Sequence, residues 1–139
     1  MHIEIRDFSP GGQSGDRPMV AFSSACGRAW AQWRGSEMPR VGAAVDVEIE
    51  IPDEIAQWAI VDGPAVVASD TPGSPVRIRG AVAAVGEDAV TAVRIGADIV
   101  LVEFTDPLNS MQPDQAHRPG VGDFIEITTP RIEIYPYSV

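Results

Sequence analysis

Residues 45–51 alternate apolar and polar side chains without a break, as Val-Asp-Val-Glu-Ile-Glu-Ile. A period of two is the period of a β-strand, whose successive side chains point to opposite faces of a sheet. The segment therefore predicts a strand with one dry face and one face in water. Weaker versions of the pattern occur at residues 2–6, 124–128 and 131–135. Together these segments predict an all-β fold.

The size and composition of the chain suit one folded unit. Its 139 residues are 45% apolar, which is enough for a core. We therefore expect residues 1–139 to form a single all-β domain. The sequence has no apolar run of the roughly 20 residues that a membrane helix needs, and it does not open with a signal-peptide pattern. The chain has a single cysteine, Cys26, which excludes an intramolecular disulfide. These three features favour a soluble cytoplasmic protein that does not engage membranes.

Turn residues divide the chain into about nine short, mostly antiparallel strands. This spacing predicts a small closed barrel or a sandwich. The OB barrel is the closest familiar shape, as an analogy of class only, because no motif identifies it. Two assignments stay open. Residues 24–34 are predicted as a hairpin around Cys26 and Gly27, with a helix as the alternative, and residues 53–60 fit a strand or a short helix.

The region 76–104 allows the most specific prediction. It contains two candidate turns that have glycine, Gly86 and Gly96, in the first central position. Glycine at this position is typical of two-residue hairpin turns, which fix the register of the flanking strands. The pairs predicted by these turns include Arg79 with Arg94, Ala83 with Val90, Ile95 with Asp98, and Val93 with Val100.

This register gives the sheet one almost entirely apolar face, which we predict to be core. The second face is apolar in the middle and charged at its margins, so it has to be covered. Residues 105–120 could wrap it or form a binding loop, and a second copy of the chain could cover it in a homo-oligomer. The predicted core face consists of Val76, Ile78, Gly80, Val82, Ala84, Ala89, Thr91, Val93, Ile95, Val100, Val102 and Phe104.

The net charge of the chain is −10, and every basic residue is an arginine. Such a chain repels nucleic-acid backbones unless its basic residues are segregated, and the ten arginines are scattered. We therefore do not expect nucleic-acid binding, whereas docking to a basic protein partner fits. If their strands are neighbours, the outward carboxylates form an acidic plaque. The candidate binding residues in this plaque are Asp46, Glu48, Glu50, Glu126 and Glu133.

A second candidate site follows from the predicted register. Like charges opposite one another destabilise a strand pair, so Arg79 facing Arg94, with Arg77 two residues away, calls for a negative group between them. That group could be a carboxylate of this chain, a bound anion or the carboxylate of a partner. An anion-accepting pocket near the three arginines, closed by residues 105–120, is the corresponding hypothesis.

The sequence contains no recognisable pattern of catalytic or metal-binding residues. A zinc site needs three or four ligands, and His2 and His117 have no near partner in the sequence. Cys26 lacks a neighbouring base, and the glycine-rich residues 10–15 lack the lysine of a phosphate-binding loop. We therefore assign no catalytic residue, metal or cofactor. The leading hypothesis is a non-enzymatic protein-binding or inhibitory module, similar in role to an immunity protein. The alternative is a small-ligand-binding barrel or minor enzyme.

Overall fold

The computed structural model describes residues 1–9, 17–88, 90–105 and 119–137. These residues form strands and no helix, which confirms the all-β prediction. The strands number eleven rather than about nine. Their bounds are β1 His2–Ser9, β2 Met19–Ser24, β3 Gly27–Trp33, β4 Ala44–Glu50, β5 Trp58–Ile60, β6 Val66–Ala68, β7 Val76–Val85, β8 Val90–Ile95, β9 Asp98–Glu103, β10 Phe124–Thr129 and β11 Glu133–Pro136.

Five strands close into a barrel in the order β1-β2-β3-β11-β4, and β4 pairs back onto β1. Every neighbouring pair is antiparallel except β3 and β11, which run parallel. This is the connectivity of the OB barrel, so the analogy of class holds for this part of the chain. The other six strands are inserted between β4 and β11. They form a second sheet in the order β5-β10-β7-β8-β9, with β6 beside β7.

The alternating segment at residues 45–51 forms β4, as predicted. Val47 and Ile49 point into the barrel and are 0% and 5% exposed, whereas Glu48 and Glu50 are exposed. The buried side chains therefore drive β4 onto the core and leave its carboxylates in water.

Strand β6 connects the two sheets through its backbone. On one edge it pairs antiparallel with β7. On the other edge the Val67 N–H donates to the Cys26 carbonyl at 3.0 Å, and the Ser69 N–H donates to the Arg28 carbonyl at 3.1 Å. The Val67 side chain is fully buried, and the buried side chains of both sheets form one continuous cluster. The second sheet is thus held against the barrel by both hydrogen bonds and core packing.

Neither segment with an open assignment forms a helix. Residues 24–34 form the hairpin of β2 and β3, so the alternative helix is excluded. Residues 53–60 contain no helix either. Ile55 is buried and bridges Phe104, and Trp58 begins the edge strand β5.

The first turn of the region 76–104 is longer than predicted. The Gly86 N–H donates to the Val90 carbonyl at 2.8 Å, which leaves three residues at the tip instead of two. As a consequence Arg94 lies opposite Ala81. The predicted pairing of Arg94 with Arg79 is therefore wrong.

A β-bulge nevertheless preserves the predicted faces. The register of β7 against β8 shifts between Val82 and Ala84. Relative to the predicted register, the longer turn displaces the pairing by an odd number of residues, and the extra residue of the bulge makes the total displacement even. An even displacement leaves each side chain on its predicted face. Val82 consequently faces Val93, which is two positions from Thr91, the residue that the predicted register implies there.

The predicted core face is therefore buried at its described positions, with one exception. Ala84 lies beyond the bulge and is exposed, and Ala89 is outside the described residues. The second turn has the predicted register, in which Val93 faces Val100, and Gly96 has the positive φ of 63° that this turn requires.

Gly80 marks the tightest approach of β7 to β8. A Cβ atom at this position would collide with the Arg94 carbonyl oxygen and would lie 2.8 Å from Val93 Cγ1. Because a backbone carbonyl in a ladder cannot move freely, we expect Gly80→Ala to lower the free energy of unfolding by about 2–4 kcal/mol. Gly120→Ala is the control, since its Cβ would meet nothing closer than Asp123 Oδ2 at 3.8 Å. Urea unfolding measures both, and equal midpoints would contradict the steric argument.

Two buried threonines provide a second test of the core. Thr91 and Thr129 are both 0% exposed, but Thr91 Oγ1 has no hydrogen-bond partner among the described residues, whereas Thr129 Oγ1 donates to the Arg131 carbonyl at 3.1 Å. A buried unsatisfied hydroxyl is destabilising. Thr91→Val should therefore raise the free energy of unfolding by about 1 kcal/mol, and Thr129→Val should lower it by a similar amount. Thermal unfolding in which both variants shift in the same direction would refute this assignment.

Candidate functional site

Four of the five predicted plaque carboxylates lie on one outer face of the barrel. Asp46, Glu48 and Glu50 alternate with inward residues along β4, so they share its outward face. Strand β11 is the neighbour of β4, and Glu133 lies directly opposite Glu50. These four residues are called the acidic barrel face below.

Two of the four carboxylates have basic partners. Asp46 Oδ1 lies 2.9 Å from His2 Nδ1, and Glu133 Oε2 lies 3.3 Å from Arg34 Nη1. Within the described parts of the chain, Glu48 and Glu50 form no ion pair. The least compensated negative charge of this face is therefore at Glu48 and Glu50.

Glu126 is not part of the acidic barrel face. It lies on β10 in the second sheet, opposite Arg79. Its Oε1 atom is 2.8 Å from Arg79 Nε and 3.6 Å from Arg77 Nε. The negative group that the arginines require is thus supplied by a carboxylate of this chain.

Arg94 is separate from this cluster. It lies opposite Ala81 on β7 and Ile99 on β9, and its side chain is exposed. The structure therefore brings two of the three arginines together around Glu126 and leaves the third among apolar neighbours. Residues 106–118, which form most of the predicted closing loop and include His117, lie outside the described residues.

A groove runs between the barrel and the end of the second sheet. It consists of three adjoining recesses of about 480, 170 and 160 Å³. Neighbouring recesses share lining residues: Asp98 lines the first two, and Ile99 lines the last two. One wall is residues 46–51 of the barrel and the other is residues 97–101 of the β8–β9 hairpin. This feature is called the β4–β9 groove.

The β4–β9 groove combines negative charge with exposed apolar surface. Three residues of the acidic barrel face line it, and Asp98 adds a fourth carboxylate that pairs with the Met1 amino group at 2.8 Å. No arginine is among the described lining residues. On the opposite wall, Ile99 and Leu101 are 50% and 61% exposed. The groove therefore suits a ligand that carries both positive charge and apolar groups.

A second recess of about 500 Å³ lies on the barrel between residues 33–39 and Tyr135. Its one arginine, Arg34, stacks 5.6 Å from the centre of the Tyr135 ring and pairs with Glu133. The Trp33 indole N–H donates to the Glu37 carbonyl at 2.8 Å. Because this recess contains an arginine, whose buried Nε has no hydrogen-bond partner among the described residues, it suits a basic ligand less well than the β4–β9 groove does.

Cys26 lies at one end of the β4–β9 groove. Burial raises the pKa of its thiol, and the negative charge of Asp98 raises it further. A thiol with a raised pKa stays protonated at neutral pH and is a poor nucleophile. Among the described residues, no group of three or more His, Cys, Asp or Glu side chains could hold a metal ion.

Sequence reasoning identified the carboxylates of β4 but missed the groove beside them. Ile99 and Leu101 lie on the exposed face of β9, alternating with the buried Val100 and Val102. Their position next to β4 depends on how the two sheets pack together. Alternation within a strand carries no signal for such a contact.

Comparison with known proteins gave no match: no protein family, curated protein or solved structure is similar enough to the chain to count as a relative. In the part of the chain that the structure describes, no helix is long and apolar enough to cross a membrane.

The thiol of Cys26 gives a testable pH dependence. Because its pKa is raised, alkylation by iodoacetamide should have its pH midpoint above that of the unfolded chain. Asp98→Asn should lower the midpoint, since it removes a negative charge that disfavours the thiolate, without restoring the unfolded value. Glu87→Gln, in the distant turn before β8, is the control. A folded-state midpoint at or below that of the unfolded chain would contradict the burial argument.

Proposed function

We propose that this protein is a non-enzymatic binding or inhibitory module, similar in role to an immunity protein, that docks a basic partner protein through its acidic barrel face. The observation that carries the proposal is the exposure and the ion pairing of Glu48 and Glu50. Both carboxylates are exposed, and neither has a basic partner within the described residues.

The setting of these carboxylates supports a docking role. Strand β4 is hydrogen-bonded to β1 over its first residues and to β11 over its last, so the charges stand on a fixed scaffold. Fixed charges of one sign accelerate the approach of an oppositely charged partner. The net charge of −10 extends this field over the molecule and opposes binding to nucleic acid.

The alternative of an anion-accepting pocket at the arginines is less favoured. Glu126 already contacts Arg79 at the hydrogen-bonding distance of 2.8 Å and Arg77 at the ion-pair distance of 3.6 Å. An incoming anion would have to displace this carboxylate or bind against its charge. Arg94, on its own among apolar neighbours, offers a single exposed charge.

The decisive comparison is between two variants of equal net charge. Asp46→Asn/Glu48→Gln/Glu50→Gln removes the exposed carboxylates of the acidic barrel face. Asp62→Asn/Asp70→Asn/Glu87→Gln removes three exposed carboxylates elsewhere and is the matched control. The wild-type protein and the control should capture the same basic protein from the source cells at one-to-one stoichiometry, and the first variant should not. An inhibitory role further predicts a stoichiometric loss of the activity of that partner.

Stopped-flow kinetics with the captured partner then tests the electrostatic mechanism. The association rate of the wild-type protein should fall about tenfold between roughly 20 and 200 mM salt, because added ions screen exposed charges. The acidic-face variant should associate more slowly and with a flatter salt dependence, and the control should match the wild type. If both variants retain wild-type capture and kinetics, the acidic barrel face is only a solvated surface.

A further inference from the structure

The outer edge of β9 is a strand edge that is only partly used. Strand β9 is the last strand of the second sheet. At its far end, the Ile55 N–H donates to the Glu103 carbonyl at 2.8 Å, and the Thr105 N–H donates to the Ile55 carbonyl at 3.0 Å. These bonds show that odd-numbered residues of β9 turn their backbone groups away from β8.

Ile99 and Leu101 share this orientation, because alternate residues of an antiparallel strand present their N–H and C=O groups to the same edge. Among the described residues, neither has a backbone partner on that side. Within the described parts of the chain, two N–H and two C=O groups of this edge are therefore unpaired. A free edge with exposed apolar side chains is a template for strand addition.

The free edge of β9 faces the β4–β9 groove. The recess beside Ile99 and Leu101 is bounded on the barrel side by residues 48–51, which include Glu48 and Glu50. An extended segment in this recess would have the backbone groups of β9 on one side and two uncompensated carboxylates on the other. The edge of β9 therefore suits backbone pairing with an added strand, and the carboxylates beside it suit basic side chains.

The added strand could come from a second copy of this chain or from a basic partner protein, and electrostatics decides between the two. A second copy would bring another net charge of −10 to a groove that is lined by carboxylates. Like charges brought together in an interface oppose association. A basic segment gains the attraction that a second copy lacks.

We propose that an extended basic segment of the partner protein adds to the free edge of β9 within the β4–β9 groove, with its basic side chains towards Glu48 and Glu50. The inference rests on the proposed function and specifies how the partner is held. Backbone hydrogen bonds to Ile99 and Leu101 provide affinity, and the carboxylates select for positive charge. The partner is thus recognised by the combination of an extended backbone and alternating basic residues.

The probe is a capped heptapeptide in which arginine and valine alternate, titrated by calorimetry. Two N-methylated forms of the peptide are also titrated. One carries methyl groups on the odd-numbered amides and the other carries them on the even-numbered amides. Because only one edge of the added strand faces β9, one phase should lose binding at least about tenfold and the other should keep it. A peptide with glutamate in place of arginine should not bind. Binding that is indifferent to the phase of methylation would overturn the proposal.

Leu101→Pro tests the edge from the protein side. Its N–H points away from β8, and proline is tolerated at such edge positions, so the β8–β9 ladder should persist. Leu101→Ala is the control, because it shortens the side chain and keeps the N–H. The proline variant should bind the peptide about tenfold more weakly than the alanine variant. If Leu101→Pro does not fold, the methylated peptides still decide the question.

The outcomes separate this inference from the proposed function. No calorimetric binding of the unmethylated peptide at about 1 mM overturns strand addition. Binding that survives Leu101→Pro but is lost in Glu48→Gln/Glu50→Gln overturns it too, and leaves docking through the acidic barrel face intact. A dimer in light scattering that Leu101→Pro dissociates would assign the edge to a second copy and overturn the basic partner. Failure of the partner capture experiment instead removes the proposed function.

Discussion

The double hydrogen bonding of β6 holds the two sheets of this protein in one arrangement. A three-residue strand is too short to stabilise a sheet by itself, but this one pairs with β7 on one edge and with the β2–β3 hairpin on the other. Val67 at its centre is fully buried between the two sheets. Because hydrogen bonds are directional, they fix the position of the second sheet relative to the barrel more narrowly than apolar contact alone would.

The β4–β9 groove is a consequence of that arrangement. The second sheet is anchored through β6 and β7, so its last strand, β9, comes alongside β4 without pairing to it. Beyond Val47, whose N–H donates to the Met1 carbonyl, the described part of β4 is paired only with β11. Two strand edges therefore face each other across a gap, one carrying carboxylates and the other carrying Ile99 and Leu101. A binding site of this kind needs no dedicated loop, since it is made from the meeting of two sheets.

The charges of the second sheet and the barrel have different roles in this picture. Glu126 lies between Arg77 and Arg79 and compensates charge within the sheet. Glu48 and Glu50 have no such partner in the described chain, although they carry the same group on a similar strand. A carboxylate with a close arginine stabilises the fold locally, whereas an exposed one without a partner contributes mainly to the field that an approaching molecule meets. The structural neighbours, and not the residue type, separate the two roles.

The sequence by itself determined the all-β class and the buried faces of its most regular strands. The alternation in residues 45–51 placed Val47 and Ile49 in the core, and the faces of the 76–104 region held even though the register at Gly86 was wrong. Period two is a property of one strand, so it survives a displacement by an even number of residues. Tertiary structure decided the longer turn at Gly86, the parallel pairing of β3 with β11, the position of Glu126 beside the arginines and the groove between β4 and β9. The last three of these depend on contacts between residues distant along the chain, whose free energies a local pattern does not contain.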